Sequence, residues 1–140
     1  MASPKIMPVP EMRARVALLI SPFEQDHEVL DSLFREHGWT LYRTRSLRSG
    51  LSVLRRQKAS IVVTEENLAA GSWRDVLEAA RQLPTPPLVI VSSLHADDHL
   101  WAEALNLGAY DVMCRPIEHG EAVRLFRGAW IGYSSSHLLA

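Results

Sequence analysis

The chain contains a single cysteine, Cys114, so no internal disulfide can brace it and a reducing cytoplasm is the expected address. Long hydrophobic runs are missing as well. Nothing approaches the roughly 20 apolar residues that a membrane-spanning helix needs, and no secretory signal peptide is recognisable. Neither sign of charge dominates: 15 Lys and Arg face 16 Asp and Glu, a formal net charge of -1. Bulk attraction to nucleic acid or to an anionic membrane is therefore not expected. Glycine is sparse, and Gly71 and Gly108 stand alone. The stretch "LAAGSW" (68–73) lacks the Lys-Ser/Thr of a phosphate-cradling loop, which removes support for nucleotide hydrolysis. Internal repeats and low-complexity tracts are absent too.

The 140 residues, 47% hydrophobic and 22% charged, are enough for one globular domain with its own core. Residues 1–14, "MASPKIMPVPEMRA", carry three prolines and no periodicity, so they read as a loose leader. The expected domain covers 15–132, followed by a tail at 133–140 whose serine run suits a fraying helix end or a linker.

Within the domain five short apolar runs recur: "RVALLIS" (15–21), "WTLYRT" (39–44), "SIVVT" (60–64), "PLVIVSS" (87–93) and "AYDVMC" (109–114). Three are nearly continuously apolar, as expected of parallel strands covered on both faces. Helix-period segments separate them. Val29, Leu30, Leu33 and Phe34 form one stripe, stopped at Gly38; Leu47, Leu51 and Leu54 form the next, with Ser46 as its cap. Ser72 caps a third helix carrying Trp73, Val76, Leu77 and Ala80. The fourth carries Leu100, Trp101, Ala104 and Leu105 before Gly108, and the last runs through Val123, Phe126 and Trp130. Strand and helix alternating five times predict a doubly wound α/β fold, with chemistry at the carboxyl ends of the strands where the winding reverses. Glu65 and Glu66 lie at such an end.

Residues 14–132 resemble the receiver domains of two-component response regulators. The stretch "PLVIVSSLHADDHLWAEALNLGAYDVMCRPI" (87–117) carries most of the likeness, with its "LGAYD" turn and the Arg-Pro after the fifth strand. The resemblance implies a flavodoxin-like, five-stranded parallel sheet of order 2-1-3-4-5 flanked by five helices. It also implies a site of an acidic pair, a phosphorylated Asp, a Ser or Thr, and a Lys-Pro. Here strand one ends "LLISPF", so Ser21 and Pro22 replace the metal-binding acidic pair. Glu65 takes the phospho-acceptor position, Ser92 keeps the hydroxyl and Arg115 replaces the lysine. Val112 stands at the aromatic switch position, and the Arg115–Pro116 bond matches the family's cis peptide.

Phosphoryl transfer to a carboxylate needs a divalent cation, and Mg²⁺ sites use carboxylates, waters and phosphate oxygens. With the acidic pair gone, the expected reading is a degenerate, phosphorylation-independent receiver: a signalling module with neither cofactor nor metal, and not an enzyme. Glu65 then acts as a partial phosphate mimic offering acceptors to Ser92 and Arg115, or is an exposed acid paired with Arg115. One rival is a working phosphoacceptor at Glu65 or Glu66, for which Glu24 or Asp26 would have to reach the metal from the first helix, a placement that argues against it. The other is a flavodoxin-like binder of a small ligand.

The partner expected is a protein: a histidine kinase, an output domain or another signalling protein. A homodimer through the face of helix four, strand five and helix five is a further expectation, with Trp101, Trp130, Phe126, Tyr133, Ile131 and Leu138 as candidates, Phe126 being the one assigned to the core. His95, Asp97, Asp98 and His99 read as polar capping of helix four rather than a metal site. The basic residues Arg43, Arg45, Arg48, Arg55, Arg56 and Lys58 lack interleaved aromatics and read as a solvated face. Cys114 reads as core filling.

Overall fold

The computed structural model describes the backbone of residues 15–139 and the side chains of residues 15–133. The expected leader, residues 1–14, and the side chain of Leu138 lie outside the described residues.

In chain order the elements are β1 (Val16–Ile20), α1 (Glu24–Glu36), β2 (Thr40–Thr44), α2 (Leu47–Arg56) and β3 (Ile61–Glu65). A short antiparallel pair follows, β4 (Asn67–Leu68) and β5 (Gly71–Ser72), then α3 (Trp73–Arg81) and β6 (Leu88–Ser93). The chain continues through α4 (Asp98–Leu107), β7 (Asp111–Cys114) and α5 (His119–Leu139). The main sheet is parallel, in the order β2-β1-β3-β6-β7, and the five strands are the five apolar runs of the sequence. The segment expected as a tail from residue 133 continues α5 without a break to Leu139.

Local chemistry explains where the helices begin and end. Ser46 Oγ accepts the Ser49 amide and Ser72 is tied to Asp75, so both predicted caps form capping boxes. Asp97 Oδ1 accepts the Leu100 amide at 2.9 Å, opening α4, and Gly108, at φ +110°, closes it. The β4–β5 pair, which no apolar run announces, turns through Ala69 and Ala70, and Ala70 adopts φ +67°.

Because successive residues of a strand face opposite ways, the sheet builds two cores. Leu18, Ile20, Val62 and Val91 pack against α2, α3 and α4, with Trp73 fully buried among them. Ala17, Leu19, Val63 and Ile90 pack against α1 and α5 through Leu30, Phe34 and Phe126. The three inner strands β1, β3 and β6 are consequently dry on both sides, while the edge strand β2 is partly exposed, and polar groups gather where the strands end.

Gly50, inside α2, allows that helix to lie directly on β1: a Cβ there would stand 2.5–3.0 Å from three Ile20 side-chain carbons. Gly50→Ala gains about 1 kcal/mol of helix propensity but overpacks a fully buried, β-branched side chain at about 1–3 kcal/mol. A net destabilisation of about 1 kcal/mol is expected by urea denaturation. A variant as stable as the parent would show that Ile20 swings aside freely.

Candidate functional site

The order of the sheet reverses at β1 and β3, and the groups beyond these strand ends converge. Ser21, completely buried just after β1, donates its Oγ hydrogen bond to Asp26 Oδ2 at 2.7 Å and accepts the Phe23 amide. Asp26 is the third residue of α1, yet only 1% exposed. Arg115, immediately after β7, brings Nε to 3.3 Å from Asp26 and to 3.6 Å from Glu65 Oε1. The first contact is a charge-assisted hydrogen bond; the second is an ion pair without one. The Phe23 ring lies 3.8 Å over the guanidinium and covers it from solvent.

Glu65, the last residue of β3, pairs in register with Ser92 of β6. Ser92 Oγ stands 3.5 Å from both Glu65 Oε1 and the Thr64 carbonyl, a loose contact to each. Glu66 engages the next hydroxyl, accepting from Ser93 Oγ at 2.6 Å. His27 Nε2 lies 2.7 Å from the Ser21 carbonyl, so Nε2–H donates. Its buried Nδ1 has no hydrogen-bond partner among the described residues.

The sequence-predicted residues Glu65, Ser92 and Arg115 are thus brought together, and Ser21 stands beside them, while Pro22 is exposed. Two expectations about this cluster require correction. Asp26, left aside because of its place in the first helix, is a member of the cluster: side chains of a first helical turn lean back toward the N-terminus, and here that direction leads over the strand ends. Glu65 is 5% exposed, not an exposed acid at a strand end. Glu24, which shares the first turn of α1 with Asp26, behaves as expected of a surface acid and pairs with Arg45.

Val112 is buried under α4 with Leu100 and Ala104. Cys114, expected as core filling, is exposed instead, because the strand end carries it past the helices. Of the surface candidates, Trp101 and Ile131 are exposed, Phe126 and Tyr133 are buried, and Trp130 is half-buried, edge-on to Trp39 at 5.0 Å. Trp101 and Tyr110 line a hollow between α4 and α5 across β7. No helix among the described residues is long and apolar enough to cross a membrane.

No family model matches the chain, and no curated protein sequence matches it. Solved structures do. The signal receiver domain of a candidate LuxO repressor protein from Vibrio parahaemolyticus superposes with a TM-score of 0.83 at 17% identity, covering 90% of this chain and 97% of that one. The signal receiver domain of an HD domain-containing protein from Pseudomonas fluorescens Pf-5 gives 0.78 at 23% identity, covering 88% and 99%. A beryllofluoride-activated NtrC4 receiver domain, solved as a dimer, gives 0.78 at 17% identity, covering 85% and 98%.

The fold is that of a response regulator receiver domain. Within this receiver fold the cluster holds two buried carboxylates against one guanidinium, and burial governs what they do. Desolvation raises the Glu65 pKa to about 7; Arg115 opposes the rise and the Asp26 charge adds to it. The folded state therefore holds a proton on Glu65 that the unfolded chain, with a carboxyl near 4.5, has already released. Stability from this group is fully present below about pH 4.5 and is lost as pH rises through about 7. Glu65→Gln removes the dependence. We expect it to stabilise the protein at pH 8 by on the order of 1–3 kcal/mol, the gain disappearing by pH 4. Urea midpoints across that range check this; a gain that does not vary with pH would mean that folding leaves the Glu65 pKa unshifted.

Proposed function

We propose that this chain is a degenerate receiver: a signalling module, not an enzyme, that binds a protein partner independently of phosphorylation. Its reading rests most on the state of Arg115. In the position where the family's resemblance places a lysine for the phosphoryl group, the guanidinium is already engaged by Asp26 and Glu65 and roofed by Phe23. Ser21 and Pro22 stand where the acidic pair is expected, and Ser21 spends its hydroxyl on Asp26.

On this reading Glu65 occupies the phospho-acceptor position as a fixed, single-charge stand-in, with Ser92 and Arg115 as the residual site. It carries less charge than a phosphate, whose value is roughly -1.5 to -2 at neutral pH, and its proton makes that charge partial. Val112 has no ring to swing between buried and exposed states, so the aromatic switch does not operate. A cytoplasmic address and a protein partner, whether a histidine kinase, an output domain or another signalling protein, fit this role.

One observation favours a second reading. Asp26 reaches the site, so two carboxylates converge there, and a cation displacing Arg115 would find both. A working phosphoacceptor with rearranged ligands follows if that displacement occurs. The deciding experiment is an amide NMR titration with Mg²⁺ and then beryllium fluoride. Spectra that stay unchanged around Glu65, Ser92 and Arg115 are expected; shifts there that require both additives would establish phosphoacceptor chemistry and overturn the degenerate reading.

The surface of α4, β7 and α5 is the proposed contact face, with Trp101, Leu105 and Tyr110 each more than a third exposed. Self-association through it should appear in sedimentation velocity at high concentration and vanish in Trp101→Glu. A species that stays monomeric in the parent would leave this face to a different protein.

A further inference from the structure

On the opposite end of the helical layer formed by α1 and α5, away from the strand ends, lies a cavity of about 220 Å³. Its floor is Leu33, Phe34 and Phe126, and its sides are Trp39 and Trp130. The rings brace one another: Phe34 is 4.9 Å from Phe126 and 5.5 Å from Trp39, and Trp130 meets Trp39 edge-on. Such a braced arrangement is preformed, so a ligand entering it would not have to order the walls.

Three polar groups complete the lining: Arg15, Arg127 and His37. Both arginines are exposed, and neither is ion-paired among the described residues, whereas Arg35, Arg45, Arg74, Arg81 and Arg115 all have acidic partners. His37 donates Nδ1–H to the Leu33 carbonyl at 2.8 Å, leaving Nε2 as an acceptor. No carboxylate among the described residues lines the cavity. That combination selects the ligand's charge. Tryptophan faces alone suit a cation, but two guanidiniums without a compensating acid repel one and attract an anion.

We propose that this cavity is a binding site for a small aromatic carboxylate, its ring lying against the Trp39 and Trp130 side chains and its acid group held by Arg15 and Arg127. The ring lies on the phenylalanine floor, and a ring N–H or O–H is met by His37 Nε2. Size sets the upper limit. Drug-sized ligands occupy pockets of roughly 300–1,000 Å³, so this one takes a single ring or a fused pair and excludes a nucleotide. Recognition of an aromatic body by apolar walls, with orientation fixed by a bidentate guanidinium contact, is the chemistry that these residue types perform elsewhere. The site is separate from the Asp26–Arg115–Glu65 cluster and does not depend on whether that cluster accepts phosphate.

The test follows the indole N–H signals of Trp39 and Trp130 by NMR while the intact protein is titrated with indole-3-acetate, 3-methylindole or acetate. Indole-3-acetate should shift both signals saturably and leave Trp73 and Trp101 in place. The neutral ring and the bare acid should each bind at least about tenfold more weakly, and Arg15→Ala with Arg127→Ala should cost indole-3-acetate a similar factor. Both positions are exposed, so the fold should persist. Val123→Phe, which enlarges a side chain of the lining, should abolish the shifts while leaving the amide spectrum dispersed. The proposal is overturned if the shifts do not saturate, if 3-methylindole binds as tightly as the acid, or if the double arginine variant keeps its affinity.

Discussion

Two carboxylates buried within reach of one guanidinium set the terms for the carboxyl edge of this sheet. An isolated ionised carboxylate in a dry interior is prohibitively costly, and breaking a buried pair by removing one member typically costs about 3–5 kcal/mol. Arg115 is the compensation that makes Asp26 and Glu65 tolerable together. Since Asp26 comes from α1, Glu65 from β3 and Arg115 from the end of β7, their mutual neutralisation ties three parts of the chain that share no hydrogen-bonded register. Ser21 adds the end of β1 through its hydroxyl, and Phe23 keeps water from screening the group.

One positive charge does not fully balance two negative ones. Glu65, held at 3.6 Å without a hydrogen bond to the guanidinium, is the member left short, and it responds by keeping its proton to about neutral pH. Asp26 has the shorter contact with Arg115 and a hydroxyl besides. The same physics that stabilises the cluster therefore makes its charge sensitive to conditions near neutrality. In the degenerate receiver proposed above, the charge at this edge would be set by a proton rather than by a covalent phosphate.

Much of the architecture was legible from periodicity. Continuous apolar runs such as "SIVVT" announced strands wet on neither face, and β3 is buried throughout. Ser46, Ser72 and Gly108 marked helix boundaries because caps are short-range chemistry, decided within one turn. The β4–β5 pair was not legible: it is two residues per strand and its positive φ falls on Ala70 rather than on the neighbouring glycine. A turn imposed by the path between β3 and α3 overrides the local preference there. Trp130 was legible both as part of the last helix's apolar stripe and as an interface candidate, and its packing against Trp39 decides for the stripe.

The site divides along the same line. Glu65 was legible as the end of an apolar run, and the resemblance to receiver domains set Ser92 and Arg115 beside it. Ser21 and Pro22 in place of acids were equally plain. Asp26 was not, nor was the cavity beneath Trp39 and Trp130, because both depend on how α1 lies across the sheet and on α5. A helix's direction over a sheet is set by packing between side chains far apart in the chain, a long-range property that no local pattern encodes. The sequence by itself determined which residues reach the edge; tertiary structure decided which of them are buried together, and so which charges must be shared.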